Sequence, residues 1–314
     1  MNISPLDVSG INEDKKFKVI HTALTSGDIT RAEIADICSL SAVTVGKIIS
    51  KMLDEGLLVS EKLPLGIGPH TEILKPSPKI NTLLFYLGES RLNITVCDAC
   101  QNIIFERSAA IDESLPYEDN LTNILMNSYP KLEGILNGGI CGYAAATSVN
   151  TRAFDLNMLS SAFPKIDFDI VKPYDEYVCA LMEKDHPDKN IILIHIGLNI
   201  GITLICEGKK INSYSCIAEH IGTLDIGNAI SHIADTVAPL LKLLRIDRIV
   251  LESDSIPVNN RFINLLKDRI SERTHHTCTP PEIISGEKLH LVARSAADEI
   301  AEKLAWLLSG KKKS

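Results

Sequence analysis

Thr30-Arg31-Ala32-Glu33-Ile34-Ala35-Asp36-Ile37-Cys38-Ser39-Leu40-Ser41-Ala42-Val43-Thr44-Val45-Gly46-Lys47-Ile48-Ile49-Ser50-Lys51-Met52-Leu53-Asp54-Glu55-Gly56 reads as two helices joined by a tight turn. Thr30 stands three residues before Glu33, the spacing in which a hydroxyl and a carboxylate each accept from the other's backbone N–H at a helix start. Ala32, Ile34, Ala35 and Ile37 fill that short helix, and Ser39-Leu40 ends it. Ser41 caps the next helix, in which Val45, Ile48, Ile49, Met52 and Leu53 recur at helical spacing and leave Ala42, Thr44, Lys47 and Lys51 outward. Gly56 stops it.

Upstream, a helix from about Asp14 to Thr25 sets Phe17, Ile20 and Leu24 on one face, and Ser26-Gly27-Asp28 breaks it. Downstream, Leu57–Glu61 and Thr71–Leu74 read as two strands around a loop holding Gly66, Gly68 and His70. Three helices and a glycine-rich wing predict a winged helix-turn-helix over residues 1–78. In that arrangement the second helix of the pair enters the major groove N-terminus first. Ser41, Ala42, Thr44 and Lys47 are then the candidates for base edges or nearby phosphates, Arg31 and Lys51 for phosphates, and Gly66, Gly68 and His70 for an adjacent groove. Double-stranded DNA is the expected partner; a small helical module that contacts protein is the alternative. Charge does not decide it, because eight Lys or Arg face ten Asp or Glu in this stretch and the whole chain carries −8. Any DNA contact must be local.

At 314 residues the chain exceeds what one hydrophobic core usually serves, so two domains are expected. With 45% hydrophobic and 23% charged residues, disorder is excluded over most of it. The eight cysteines show no disulfide-framework spacing, which predicts reduced thiols. Cys97-Asp98-Ala99-Cys100 lies between two strand-like runs and reads as a hairpin turn, with a redox or metal pair as the alternative. Met1-Asn2-Ile3-Ser4-Pro5 lacks the features of a secretory signal, so a cytoplasmic location is expected. The longest apolar run, Asn190 to Cys206, is broken by His195, Gly197, Asn199 and Gly201 and predicts two strands and a turn instead of a membrane span.

Pro76, Ser77 and Pro78 form a stiff boundary before a second domain over residues 79–314. Strands are predicted at 81–87, 92–97, 102–108, 138–146, 191–197, 200–206 and 247–251, and helices at 119–136, 175–184, 222–244, 258–272 and 287–308. Strand meanders followed by alternating helices and strands predict an α/β domain built twice, with a cleft between the halves.

Gly27-Asp28-Ile29-Thr30-Arg31-Ala32-Glu33-Ile34-Ala35, Leu40-Ser41, Thr44-Val45 and Leu53-Asp54-Glu55-Gly56-Leu57 resemble the winged helix of the ROK regulators, sugar-responsive repressors related to sugar kinases. The resemblance implies a two-lobed, actin-like ATPase (ribonuclease H-like) fold for the second domain, and it extends there in element order with worn motifs. Where the family opens its ATP site with Asp-x-Gly-Gly-Thr, this chain has Tyr86-Leu87-Gly88-Glu89-Ser90, which puts a carboxylate where phosphate would approach. A like charge at contact costs on the order of a few kcal/mol at an intermediate dielectric. Gly197-Leu198-Asn199-Ile200-Gly201 resembles the second phosphate loop, and Glu252-Ser253 replaces a Gly-Gly beside adenosine.

The resemblance places the family's Asn-Asp pair at Tyr174-Asp175, where Asp175 binds a sugar hydroxyl, acts on it as a general base, or caps the following helix. It places the Glu-x-Gly-His motif at Ala218-Glu219-His220-Ile221-Gly222, making Glu219 and His220 candidate sugar ligands with His220 displaced. The zinc cysteines are missing between Cys216 and Cys278, and His275, His276 and Cys278 read as a polar loop; no metal and no cofactor are expected. Together these imply a regulator that senses a sugar or sugar phosphate without catalysing, working as a homodimer or homotetramer. The alternatives are an active sugar kinase with an appended module, and a regulator whose large domain only oligomerises.

Overall fold

The structure is a computed structural model that describes residues 4–63, 71–88, 91–136, 140–147, 169–197, 200–216, 226–253, 256–275, 281–285 and 288–311. Its first three helices are α1 (Glu13–Thr25), α2 (Arg31–Cys38) and α3 (Ala42–Asp54), followed by an antiparallel ribbon of β1 (Leu58–Leu63) and β2 (Thr71–Pro76). Each helix starts on a capping side chain: Asn12 accepts from the Lys15 N–H, Thr30 from Glu33, and Ser41 from Thr44. Both halves of the Thr30–Glu33 box are formed, as the spacing predicts. Ser39 adopts a left-handed conformation (φ 54°) and lets Leu40 donate back to the Ala35 carbonyl, which closes the turn between α2 and α3. Gly56 (φ 68°) ends α3 in the same left-handed region, where a Cβ is strained.

Two five-stranded sheets follow, and each repeats one plan. In the first, β3 (Ile80–Leu87), β4 (Arg91–Asp98) and β5 (Ile103–Ala110) form an antiparallel meander, and β6 (Ile140–Thr147) and β7 (Ile170–Pro173) add to β3 in parallel, giving the order β5-β4-β3-β6-β7. In the second, β8 (Ile191–Ile196), β9 (Ile200–Cys206) and β10 (Lys209–Cys216) form the meander, and β11 (Arg248–Ser253) and β12 (Glu282–Ser285) are the parallel additions, giving β10-β9-β8-β11-β12. The duplication read from the sequence is therefore present. The apolar run from Asn190 to Cys206 contributes two antiparallel strands, and no helix among the described residues is long and apolar enough to cross a membrane.

The helices sort by face. The outer face of the first sheet is covered by α4 (Tyr117–Leu136) through Leu121, Ile124 and Leu132, and that of the second by α6 (Ile226–Leu243) and α7 (Asn260–Arg273). Between the sheets lie α5 (Tyr174–Asp185) and α8 (Lys288–Ser309), which explains why β3 and β8 are buried along their whole length and are mostly apolar.

One helix belongs to two cores. Val292, Ala293, Ala296 and Ala297 of α8 pack between the sheets, while Ala301, Leu304, Ala305 and Leu308 join the core of α1–α3 with Val19, Ile20, Leu24 and Val45. The join is further fixed by the Leu6 N–H donating to the Leu308 carbonyl at 2.7 Å, by the Phe17 and Trp306 rings at 4.8 Å, and by Lys311 over Trp306 at 4.4 Å and paired with Asp14. Alanines on α8 allow this closeness, and Gly142 of β6 extends it: a Cβ there would lie 2.3 Å from Ile300 Cγ2.

Candidate nucleic-acid face and interlobe cleft

The outward side of α3 carries Val43, Gly46, Lys47 and Ser50, spaced so that they share one stripe opposite the buried Val45, Ile48, Ile49 and Met52. Ser41, Ala42 and Lys47 are exposed; Thr44 is half-buried and shares a 2.9 Å hydrogen bond with the Ser41 hydroxyl. Lys51 is half-buried and pairs with Glu55 at 2.9 Å, one turn along, which raises its pKa through that hydrogen bond and charge.

Arg31 is held by three partners. Its Nε donates to Glu72 Oε2 at 2.9 Å, and its Nη1 donates to the Gly46 carbonyl and to Ser50 Oγ, both at 3.2 Å. It thereby ties the start of α2 to the middle of α3 and to β2, work that the sequence does not reveal because Glu72 lies 41 residues away. Ile29 and Leu74 add a bridge between the α1–α2 turn and the ribbon. Gly66, Gly68 and His70 lie outside the described residues.

Val43 was missed by the sequence reading, although its 71% exposure makes it one of the most open large apolar side chains. The available signal was its position opposite the apolar stripe of α3. Ile37, at the end of α2, is 62% exposed as well.

Of the residues expected to hold a sugar, Asp175 sits inside the first turn of α5; the residue before that helix is Pro173, and no side chain caps it. The helix-capping alternative for Asp175 is corrected accordingly, because Tyr174 is already helical. Asp175 is 2% exposed and its Oδ2 accepts from Lys210 Nζ of β10 at 2.7 Å. Burial pulls the Lys210 ammonium down, but the Asp175 hydrogen bond and charge outweigh it and leave its pKa raised. Tyr174 packs its ring 4.8 Å from that of His195, which stands in register with Glu252 on the neighbouring strand; both are buried. Ser253 Oγ donates to the Ile196 carbonyl at 3.0 Å and accepts from the Ile256 N–H, so side chains fill this strand end. At the other hairpin, the Gly88 carbonyl is taken by the Tyr117 hydroxyl at 3.1 Å. Glu89, Ser90, Leu198, Asn199, Glu219 and His220 lie outside the described residues, as do His276 and Cys278.

Cys97 is the penultimate residue of β4, before a hairpin turn in which Gln101 takes a left-handed conformation (φ 66°) and Asp98 accepts from Asn102. Burial, followed by the charges of Asp98 and Glu106, pushes the Cys97 thiol up to about 12. That is the reverse of an activated thiolate, and Cys100 is raised for the same leading reason. Among the described residues no three His, Cys, Asp or Glu side chains cluster as a metal would need.

No family model and no curated protein matches the chain. Among solved structures, a ROK family transcriptional regulator described as a homolog of the E. coli MLC protein is similar over 95% of this chain and 98% of its own, with a TM-score of 0.61 and 13% identity. The chain has that regulator's fold. This agrees with the expected mixed α/β architecture. Lower-scoring matches include a ROK family protein from Streptococcus pneumoniae TIGR4 in complex with sucrose (TM-score 0.44, 15% identity, 72% of this chain and 100% of that one). Another is a ROK hexokinase from Thermus thermophilus (TM-score 0.43, 10% identity, 69% and 98%).

Proposed function

We propose that this protein is a DNA-binding transcriptional regulator, with α1–α3 and the β1–β2 ribbon as a winged helix-turn-helix over residues 1–78 and residues 79–314 as a sensor that does not catalyse. The carrying observation is α3: a capped helix anchored on one side by Val45, Ile48, Ile49 and Met52, with Val43, Lys47 and Ser50 directed away from the core. A helix presented this way after a tight turn is what the major groove accepts. The fold shared with a ROK regulator supports the same reading.

Arg31 acts here mainly by fixing α3 against the ribbon, while Ser41, Ala42, Thr44, Lys47 and Lys51 supply base and phosphate contacts, joined by Gly66, Gly68 and His70 from the wing. The effector is a sugar or sugar phosphate held by Asp175, Glu219 and His220, and a homodimer or homotetramer presents two such helices to a palindromic site in the cytoplasm. Catalysis is disfavoured by Lys210, because a general base must be free to take a hydroxyl proton and Asp175 already shares its carboxylate with an ammonium.

Selection of genomic fragments on the full-length protein tests the proposal. Recovered sites are expected to bind at least about tenfold more weakly when Lys47 and Lys51 are both changed to Ala, with a reduced salt dependence. Unchanged affinity rejects this face, and recovery of no site rejects the regulator. Thermal shift against sugars and sugar phosphates tests the sensor, since a saturating ligand raises stability by linkage.

A further inference from the structure

Val43 occupies the second position of α3, directly after Ala42 and the Ser41 cap. A branched aliphatic side chain left 71% exposed contributes nothing to the core, and the same helix buries four other apolar residues completely. One turn further, on the same stripe, stands Gly46, in the middle of a 13-residue helix. Glycine there costs about 1 kcal/mol relative to alanine. Such a glycine is usually explained by a neighbour that needs the space, yet a Cβ at Gly46 would meet nothing within 4 Å in this chain. The open space lies on the outside of the helix, beside Val43 and Lys47.

From this juxtaposition we infer that Val43 is a specificity-determining residue that packs against the 5-methyl group of a thymine in the major groove, with Gly46 giving the clearance for α3 to lie close to the bases. The inference rests on the DNA-binding reading and names what that face prefers. A·T and G·C pairs differ in the major groove by donor pattern, but only thymine offers a methyl group, and an aliphatic side chain without donors or acceptors has nothing else to recognise there. Residues at the start of the second helix of a helix-turn-helix are the ones that reach base edges. Lys47, one turn away, supplies the charge, and the Arg31 contacts to the Gly46 carbonyl and the Ser50 hydroxyl fix α3 beside the contact.

The test uses the full-length protein and duplexes selected from a randomised library. The wild-type protein is expected to enrich a thymine at one fixed position of each half-site, and Val43→Ala to lose that preference while keeping the others. Replacing that thymine by deoxyuridine, which removes only the methyl group, is expected to weaken wild-type binding about fourfold, the worth of one buried methyl. The same replacement leaves Val43→Ala unaffected. Because the deoxyuridine substitution changes only the DNA, it stays decisive even if the variant folds poorly. Sequence-selective binding that ignores the methyl group overturns the inference and leaves the DNA-binding reading standing, whereas no duplex binding at all overturns both. Filling the clearance with Gly46→Leu is expected to reduce affinity for every selected duplex; unchanged affinity overturns the role given to Gly46.

Discussion

Lys210 and Asp175 form a buried ion pair, Nζ to Oδ2 at 2.7 Å, between β10 and the first turn of α5. The carboxylate keeps 3% of its side chain exposed and the lysine 31%, so removing the cation takes the ammonium counter-charge from a carboxylate that has little access to water. Lys210→Met is expected to lower unfolding free energy by about 3 kcal/mol, the low end for breaking a buried pair because Lys210 is partly solvated. Adding Asp175→Asn should recover part of the loss. Denaturant unfolding of the two variants measures it, and additive losses would show that the pair is not coupled. The wild-type protein is expected to show no sugar-dependent ATP turnover.

Leu304 is fully buried where α8 enters the core of α1–α3. Leu304→Ala should cost about 2–5 kcal/mol. Hydrogen exchange should quicken in α1 as well as in α8, whereas Leu121→Ala, buried on α4, should leave α1 protected. Unchanged α1 protection in Leu304→Ala would mean that the two helices open independently.

His21 of α1 is held below its ordinary pKa by burial, with Lys184 adding to the effect and Asp298 and Glu302 opposing it. Its ring also stacks on Phe17 at 5.6 Å. The folded state therefore favours the neutral ring, and as pH falls below about 6.5 the unfolded chain takes up the proton first. The stability linked to His21 is complete above that pH and is lost as pH drops through the depressed folded value. His21→Gln should flatten the decline in melting temperature between about pH 7 and pH 5. An unaltered slope would assign it to other groups.

Gly142 leaves no room for a side chain, since the added Cβ would come within 2.3 Å of Ile300 Cγ2. Gly142→Ala is expected to destabilise by about 1–3 kcal/mol through overpacking. Ile300→Ala alone opens a cavity, so the double variant should be more stable than the sum of the two losses predicts. Simple additivity in denaturation would show that the helix shifts away without strain.

Much of this architecture is legible in the sequence where signals are local. Thr30, Ser41 and Gly56 mark helix ends through contacts within a few residues, and the apolar spacing of α3 identifies its buried face. Three strands escaped prediction for physical reasons. β10, Lys-Lys-Ile-Asn-Ser-Tyr-Ser-Cys, is a polar edge strand without a clear alternation, and β7 and β12 are four-residue edges of which the first ends in proline. In the candidate sites, the exposure of Lys47 follows from helical spacing, but the Arg31–Glu72 and Asp175–Lys210 pairs depend on elements brought together by the tertiary fold. Asp175 could be singled out; what neutralises it could not.

The course of α8 also bears on how the chain is made. Translation delivers α1, α2 and α3 first, but Ala301, Leu304, Ala305 and Leu308 leave the ribosome only after both lobes have been synthesised. Until then the apolar surface they cover faces water and is available to chaperones or to misassembly. Helices α1–α3 are thus made well before the segment that completes their core.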